Sequence, residues 1–474
     1  MTTESPISTA WPQHELVELQ QKVSKPSWTV AEDTLINLYR RSWGKHPDTP
    51  DVENVNTFAK FCFRNTGYCI VDTGALQDRE AALTDLNAAI NEAAMTAARA
   101  SVPFYLVKMA DDEGEDIIRG VTWENDEERV LSRWVLFTGG TISGGSIYGA
   151  LDDTQYGDLG ITGEQIIARN PYLLNNTQLA VSNWTSESGS TGTNDALVMN
   201  MTRFAYDALC SEDSDIVGAV YTHGTNSLEE TAFLMDSLVN CGKPIVAVGS
   251  MRPWTYLSYN GDANFFDGVK LAASPEARDR GVMVAFNARI IPGYWATKLY
   301  STNPDAFGAT ATGDLGLFIN SLPVFYNTPS QSLYKHYFDL SLVSNHSSHP
   351  GLPKVDILYA AREFDGKLVL NSQANGAAGV VIAGTGNGGV PTGQDEIAKA
   401  METGLQVVVG TRSPFGPSSP DLAPSYAKSG FVHVIQARIM LQLAIASGMN
   451  MNQTIELFEG KFRKAIGLPW SPGS

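Results

Sequence analysis

Two threonines follow apolar runs that are typical of buried strands. Thr141 lies in the segment TGGTI, directly after the run 134–137, and Thr225 lies in THGTNSLEET, after the run 216–222. Because ligands of open α/β sheets bind at the carboxyl ends of the strands, both hydroxyls are predicted to face one crevice. One such turn alone is more often purely structural, whereas two in one sheet indicate a site. A threonine hydroxyl there becomes a useful nucleophile only beside a base.

Lys298, the last residue of the segment GYWATK, is the candidate for that base. Its aromatic neighbours would exclude water and lower the pKa of the ammonium group. The alternative is an ordinary surface lysine, which most lysines are. Ser227 and Glu230 have the spacing of a capping box, which predicts a helix that starts there. Backbone N–H groups and the helix dipole near Thr225 would then stabilise an oxyanion.

The elements that must position these residues start at about residue 132. Apolar runs alternate with helical patterns from there on, which predicts an α/β fold with a mostly parallel sheet. Residues 327–351 have the composition of a linker, after which the alternation resumes. The expected organisation is an α+β extension without a chemical motif, a larger α/β domain, the linker and a smaller α/β domain, at residues 1–130, 131–326, 327–351 and 352–474.

The composition excludes several classes of function. The chain has 474 residues, with 33 Lys and Arg against 51 Asp and Glu, for a net charge of −18. Such a chain repels phosphate backbones and anionic lipid, so neither nucleic acid nor a membrane is expected as a partner. The first residues lack the pattern of a signal peptide. Four cysteines are too few and too irregular for a disulfide framework or a zinc ribbon, so a reduced, cytoplasmic protein is expected.

Two further patterns resemble ligand sites. The segment GTGNGG at 384–389 fits the dinucleotide pattern by letter, but Pro391 follows and no acidic residue stands clearly at the required distance. His346 and His349 lie in the linker without cysteine or carboxylate partners, so a metal site is not expected there. Neither a cofactor nor a metal is therefore predicted.

Taken together, the motifs strongly resemble the bacterial-type asparaginase/glutaminase family over residues 132–458. TGGTI and THGTNSLEET are followed, in the family's order and spacing, by VGSMRP, GYWATK, LPKV, GTGNG and QARIMLQLA. The resemblance implies hydrolysis of a small-molecule carboxamide through a threonine acyl-enzyme. It also implies a two-domain asparaginase-like fold and a homo-oligomer, either a dimer or a tetramer.

The resemblance also implies roles for individual residues. Thr141 corresponds to the nucleophile and Tyr156 to its hydroxyl partner. Thr225 and Lys298 correspond to the pair that activates water or relays protons. Backbone N–H groups of the two turns, including the turn at Gly224, would form the oxyanion hole, and Asn387 of the GTGNG turn would reach a neighbouring subunit's site.

The sequence departs from the family where an amino-acid substrate would bind. The family's HGTDT motif has an aspartate that pairs with the substrate's α-ammonium, and here that position is Asn226. The second acidic position aligns with Ala423. The segment that holds the α-carboxylate falls at residues 185–190, which include Ser186 and Glu187 and carry an apparent insertion. Glu187 would either restore a negative charge or repel the carboxylate.

These departures leave three interpretations. The favoured one is a hydrolase that acts on a carboxamide other than free asparagine, because a buried ammonium without a counter-charge is costly. The others are an L-asparaginase with a rebuilt amino pocket and a catalytically silent homologue that binds a ligand or partner. Aromatic residues around the site would favour a larger, flatter substrate, although core packing is the expectation for any single one: Trp184, Trp254, Tyr256, Tyr294 and Trp295.

Overall fold

The computed structural model describes residues 68–72, 105–109, 132–137, 140–155, 160–170, 173, 178–183, 193–212, 214–346, 351–422 and 424–469. The helices expected near 29–41 and 78–99 lie outside these residues, as do nearly all of residues 1–130. The chain divides into two compact units, Met1–Val135 with Thr162–Ser182, and Leu136–Ile161 with Asn183–Ser474.

The first unit contains short strands and one helix. Strands β1 (Tyr68–Asp72) and β2 (Tyr105–Met109) pair in parallel. Strand β3 (Ser132–Phe137) runs to the boundary of the unit and has β4 (Gln178–Asn183) as a neighbour. Helix α1 (Gly163–Arg169) begins with a complete capping box formed by Thr162 and Gln165.

The second unit contains strands of the large sheet and a separate two-stranded pair. They are β5 (Ile216–Thr222), β6 (Ile245–Val248), β7 (Val282–Phe286), β8 (Arg289–Pro292), β9 (Ala296–Lys298), β10 (Phe307–Ala309), β11 (Gly316–Ile319) and β12 (Leu322–Phe325). In this unit the sheet has the order β12-β11-β8-β7-β6-β5, while β9 and β10 form a separate pair. Strands β5, β6 and β7 are parallel and buried along their whole length. The pairs β7–β8, β8–β11 and β11–β12 are antiparallel, so the sheet is mixed.

Three helices accompany this sheet, α2 (Asp195–Cys210), α3 (Leu228–Leu238) and α4 (Gly261–Ala273). Helix α3 follows β5 as expected, with Ser227 as its N-cap residue. The predicted capping box is wrong, because Ser227 makes no side-chain cap hydrogen bond. Glu230 instead forms an ion pair with Arg438, at 3.5 Å, so tertiary contact has replaced the local cap.

The remaining elements are α5 (Leu340–His346), β13 (Val355–Tyr359), α6 (Lys367–Ala374), β14 (Gly379–Gly384), α7 (Gln394–Glu402), β15 (Gln406–Thr411), β16 (Ala427–Lys428), α8 (Val434–Ala446) and α9 (Met451–Ala465). Strands β13 to β16 form a four-stranded parallel sheet in chain order. Helix α8 packs against both this sheet and α3, which explains why nearly all its residues are buried. Helix α5 lies within the segment expected to be a linker.

A disulfide joins the end of α2 to the loop after α3. Cys210 and Cys241 are 31 residues apart in the chain, and their Cα atoms lie 5.5 Å apart. This pair differs from the expectation of reduced cysteines, because the return of the chain that brings the two together has no local sequence signal. None of the helices in the described ranges is long and apolar enough to cross a bilayer. The same ranges contain no group of three His, Cys, Asp or Glu residues that could hold a metal.

Candidate active site

The turns that carry the two threonines are in backbone contact. Gly140 has a φ of +97°, and a Cβ atom on it would lie 2.3 Å from the Cα of Gly224. Position 140 therefore requires glycine, because other residues rarely adopt this φ and a Cβ atom would collide with the backbone of Gly224. Thr141 and Thr225, the residues that follow these two glycines, are both buried. The structure therefore brings together the two turns that the sequence singled out.

The loop after β6 holds the Thr141 turn in place. The turn itself is closed by the hydrogen bond from the Gly144 N–H to the Gly140 carbonyl, at 2.9 Å. Tyr259 donates its hydroxyl to the Ile142 carbonyl at 2.6 Å, and the Trp254 N–H donates to the Gly144 carbonyl at 2.9 Å. The residues of this loop that the sequence singled out, VGSMRP with Trp254 and Tyr256, do not include Tyr259. The role of Tyr259 depends on a contact across 117 residues, which no local pattern indicates.

A buried histidine fixes the second turn. The Nδ1 atom of His223 lies 2.8 Å from the Gly224 carbonyl oxygen, and its Nε2 atom lies 2.9 Å from the Thr231 hydroxyl. Burial lowers the pKa of His223 to about 4, so the ring is neutral at physiological pH. The neutral ring then donates from Nδ1 and accepts at Nε2. Because a trans peptide directs C=O and N–H to opposite sides, this bond turns the Thr225 N–H away from the histidine.

Lys298, at the end of β9, reaches the second threonine. Its Nζ donates to the Thr225 Oγ1 at a distance of 3.1 Å. The lysine is half-buried, and its burial lowers the pKa of the ammonium group, while the charge of Glu229 opposes that shift. A lysine with a lowered pKa is more readily neutral and able to accept a proton. The expectation of an exposed surface lysine is thereby excluded.

Two side chains hold the strand that carries Lys298. The Glu229 Oε2 accepts the backbone N–H of Lys298 at 2.9 Å. From α8, the Gln436 Nε2 donates to the Ala296 carbonyl at 2.6 Å. Glu229 and Gln436 both stand in motifs that the sequence analysis quoted, THGTNSLEET and QARIMLQLA, but neither was assigned a role. Their pattern signals a helix, whereas their polar contacts depend on the packing of two helices against β9.

Asn226 follows Thr225 and is exposed. Among the described hydrogen bonds, none connects its side chain to Lys298. Glu229 is the carboxylate whose charge acts on Lys298 at this site. Asn226 therefore supplies no charge where a substrate ammonium would need one.

The aromatic residues before Lys298 belong to the core. Tyr294 and Trp295 are buried, and the Tyr294 ring packs against Phe233 with ring centroids 4.4 Å apart. This confirms core packing for these two. Trp254 and Tyr256 are only half-buried, in the loop that holds the Thr141 turn.

The GTGNG turn is held by two residues that follow strand β15 in the chain. The Asn387 Oδ1 accepts the Ser419 N–H at 2.9 Å, and the Lys428 Nζ donates to the Gly388 carbonyl at 2.7 Å. Helix α7 begins only at Gln394, so the glycines do not open a helix as a dinucleotide site requires. Within the described ranges, no contact joins Asn387 to either threonine or to Lys298.

The other predicted site residues lie outside the described residues. They are Tyr156, Trp184, Ser186, Glu187 and Ala423, together with the remainder of the segment 185–190. Their roles in the site stay predictions.

Comparison with known proteins places this geometry in a family. The family described as "Asparaginase, N-terminal" matches residues 134–331, and the "Glutaminase/Asparaginase C-terminal domain" matches residues 354–458. L-asparaginase 2-3 of Saccharomyces cerevisiae is 34% identical over 330 residues, which are 69% of this chain and 89% of the yeast protein. A probable periplasmic L-asparaginase of Haemophilus influenzae is 32% identical over 69% of this chain and 91% of its own length.

A solved structure is also similar. The crystal structure of a probable cytoplasmic L-asparaginase from Campylobacter jejuni has a TM-score of 0.63 and 29% identity, and the match covers 69% of this chain and 98% of that one. With its two domain matches and these relatives, the chain belongs to the asparaginase/glutaminase family and is an asparaginase-like amide hydrolase.

Proposed function

We propose that the protein hydrolyses a carboxamide through an acyl-enzyme on Thr141, with Thr225 and Lys298 as the proton-transferring pair. The observation that carries this proposal is the 3.1 Å contact between the Lys298 Nζ and the Thr225 hydroxyl, beside the turn of Thr141. Burial favours the neutral amine of Lys298, which makes it a base. Tyr156 is proposed as the hydroxyl partner of Thr141, by family resemblance alone.

The reaction then has two halves. The Thr141 hydroxyl oxygen attacks the carboxamide carbon, its proton passes to the leaving nitrogen, and the C–N bond breaks to release ammonia. Water activated by the Thr225–Lys298 pair attacks the resulting ester, which frees the acid and returns the proton to Thr141. The Thr225 N–H, oriented through His223, is proposed as one donor of the oxyanion hole.

The substrate is proposed to lack a free α-ammonium group. Asn226 supplies no negative charge, and the second acidic position of the family corresponds to Ala423. Truncation of one side of a buried charge pair costs about 3–5 kcal/mol, which is several hundred-fold or more in affinity. Asn226 therefore favours a small-molecule amide whose α-amino group is acylated or replaced by carbon.

A second candidate is L-asparagine itself. The relatives at 32–34% identity are named L-asparaginases, which favours this substrate. It requires another carboxylate in the amino pocket, and Glu187 is the candidate. The third interpretation, a catalytically silent homologue, conflicts with the retention of Thr141, Tyr156, Thr225 and Lys298.

Steady-state ammonia release from L-asparagine and from N-acetyl-L-asparagine distinguishes these candidates. The wild type should prefer the acetylated amide, and Asn226→Asp should shift the preference toward asparagine. Glu187→Gln is the matched variant, since it abolishes asparagine turnover only if Glu187 replaces the missing charge. Efficient asparagine hydrolysis that survives Glu187→Gln would contradict the proposed pocket.

The nucleophile is tested with the same assay. Thr141→Ala should abolish turnover of whichever amide is cleaved, whereas Thr141→Ser should retain part of it because the hydroxyl is kept. Near wild-type kcat in the alanine variant would exclude Thr141.

Assembly and location are proposals as well. Asn387 is exposed at the GTGNG turn, which supports a homo-oligomer in which this residue completes a partner's site. A fully active 51.2 kDa monomer in light scattering would contradict that assembly. The relatives include proteins named cytoplasmic and periplasmic, and a cytoplasmic location remains the proposal from sequence.

A further inference from the structure

The carboxylate of Glu229 lies beside the Thr225–Lys298 pair and has no role in the reaction as proposed above. We propose that Glu229 is the positioning residue for Lys298, which sets where its amine sits and over which pH range it accepts a proton. The inference rests on the proposed function, because it assigns a role within the same site. Glu229 acts through Lys298 and does not touch the reacting atoms.

The geometry gives Lys298 one anchor at each end. Its backbone N–H donates to the Glu229 Oε2 at 2.9 Å, and its Nζ donates to the Thr225 Oγ1 at 3.1 Å. Glu229 stands four residues after Thr225, in the first turn of α3, whereas Thr225 lies in the turn that precedes the helix. The start of the lysine side chain and its tip are thus held by the same segment of chain.

Glu229 is buried, with 9% of its surface exposed, in a setting where an unpaired carboxylate is unfavourable. Burial raises its pKa to about 7, against the opposing effects of the Lys298 N–H and ammonium group. The cost of burying this carboxylate must be offset by interactions that the carboxylate makes. Its bond to the Lys298 backbone and its charge beside the Lys298 amine supply such interactions, which a hydrophobic residue would not.

The other charged groups around α3 contact different partners, and of these the charge of Glu230 also raises the pKa of Glu229. Glu230 points to Arg438 of α8, and Arg438 also approaches Asp195 of α2, at 3.8 Å. The ring of His223 is neutral, and the pKa of Tyr294, in the turn before β9, is raised by burial, so both are uncharged at neutral pH. Strands β7 and β10 contribute no titratable side chain.

The position of Asn226 makes this carboxylate important. Besides pairing with the substrate's α-ammonium, the aspartate that the family resemblance implies at this position would help to orient the lysine, whereas Asn226 carries no charge. Glu229 compensates from within the helix. Its ionised form opposes the lowering of the Lys298 pKa by burial and so favours the protonated amine that donates to Thr225.

The decisive experiment replaces Glu229 by glutamine, which keeps an acceptor for the Lys298 N–H and removes the charge. Competitive labelling of full-length protein with acetic anhydride, read by mass spectrometry, measures the fraction of neutral Lys298 at each pH without any substrate. In Glu229→Gln the labelling midpoint of Lys298 should move by about 1 pH unit to lower pH. Glu230→Gln is the matched control, because its carboxylate faces Arg438, and its midpoint should stay within about 0.2 units of wild type.

Kinetics give the second measurement. The pH profile of kcat should rise with the same midpoint as the labelling curve and should shift with it in Glu229→Gln. An unchanged Lys298 midpoint in Glu229→Gln would overturn the proposal, and so would an equal shift in Glu230→Gln. A shifted midpoint without ammonia release from any amide would leave the role of Glu229 intact and would contradict the proposed function instead.

Discussion

Helix α3 carries a buried carboxylate near each end, and the two hold a lysine in opposite ways. Near its C-terminal end, the Asp236 Oδ1 contacts the Lys335 Nζ at 2.7 Å, and the two side chains are 2% and 7% exposed. Near its N-terminal end, Glu229 contacts the backbone of Lys298, whose Nζ is left to Thr225. The same helix thus holds one lysine in a buried ion pair and another whose Nζ donates to a threonine hydroxyl.

The pKa values of the two lysines shift in opposite directions. Burial lowers the pKa of Lys335, but the charge and hydrogen bond of Asp236 outweigh it, and the pKa rises above its usual value. For Lys298 burial prevails over the charge of Glu229, and the pKa falls. The point of contact therefore goes with the direction of the shift. The ammonium that a carboxylate contacts has a raised pKa, and the lysine that is held through its backbone N–H has a lowered one. A carboxylate in contact with the ammonium group raises the pKa of the lysine. A carboxylate bound to the backbone N–H positions the lysine and has a smaller effect on its pKa.

The largest effect is expected from Lys298→Met. This change removes the proposed base, so kcat should fall by about 10²–10⁴-fold, the usual contribution of a positioned base. The free energy of unfolding should change little, because the Glu229 bond to the backbone of residue 298 remains. The measurement is kcat together with denaturant unfolding. Loss of stability in parallel with activity would place Lys298 with the structural lysines.

Lys335→Met should produce the reverse pattern. It leaves Asp236 buried without a counter-charge, which costs about 3–5 kcal/mol in the free energy of unfolding. The folded fraction should keep the wild-type kcat, since Lys335 serves the structural end of α3. Lys354→Met is the matched control: that lysine and Asp356 lie 3.7 Å apart with their side chains 49% and 30% exposed, and such pairs contribute about 0–1 kcal/mol. Equal stability of the two variants would contradict this account.

The disulfide reinforces the structural end of α3. Cys241 follows that end, and its bond to Cys210 closes a loop over a separation of 31 residues. The double variant Cys210→Ser, Cys241→Ser should lose up to about 3–4 kcal/mol of unfolding free energy through the entropy of the opened loop. Its pH profile of kcat should match the wild type. Wild type treated with a reductant should behave like the variant, and an unchanged stability in both would show that the loop is held by other contacts.

The sequence predicted the N-terminal end of α3, near Thr225 and Lys298, better than the C-terminal end, where Asp236 pairs with Lys335. Thr141, Thr225 and Lys298 follow strands or stand in motifs. The two turns were predicted to lie together because each follows the carboxyl end of a strand in one α/β sheet. Strands β5, β13, β14 and β15 were predicted from unbroken apolar runs, because a strand covered on both faces has no polar side. The two-residue strand β16 is too short to give such a run and was not predicted.

The rest depends on contacts between distant segments. Glu229 reads as an ordinary residue in the first turn of a helix, and Lys335 lies in a stretch with the composition of a linker. Their partners are 69 and 99 residues away, so no local pattern indicates them. The capping box of Ser227 and Glu230 failed for the same reason, since Arg438 offers Glu230 a partner that sequence spacing does not predict.

The smallest expected effect is a difference between Glu229 and Asp236 in how each makes the free energy of unfolding depend on pH. The pKa of Glu229 is about 7 in the folded chain, above the ordinary value of 4.5, so the folded state binds the proton more tightly than the unfolded chain. The stability that the Glu229 side chain contributes is therefore fully present below about pH 4.5 and is lost as the pH rises through 7. Glu229→Gln removes that loss and should gain on the order of 2 kcal/mol relative to wild type between pH 5 and pH 8. Asp236→Asn is the matched variant, and it should be less stable than wild type at pH 8, because it leaves the buried ammonium of Lys335 unpaired. Denaturant unfolding at both pH values measures this, and parallel behaviour of the two variants would mean that the ends of α3 do not differ.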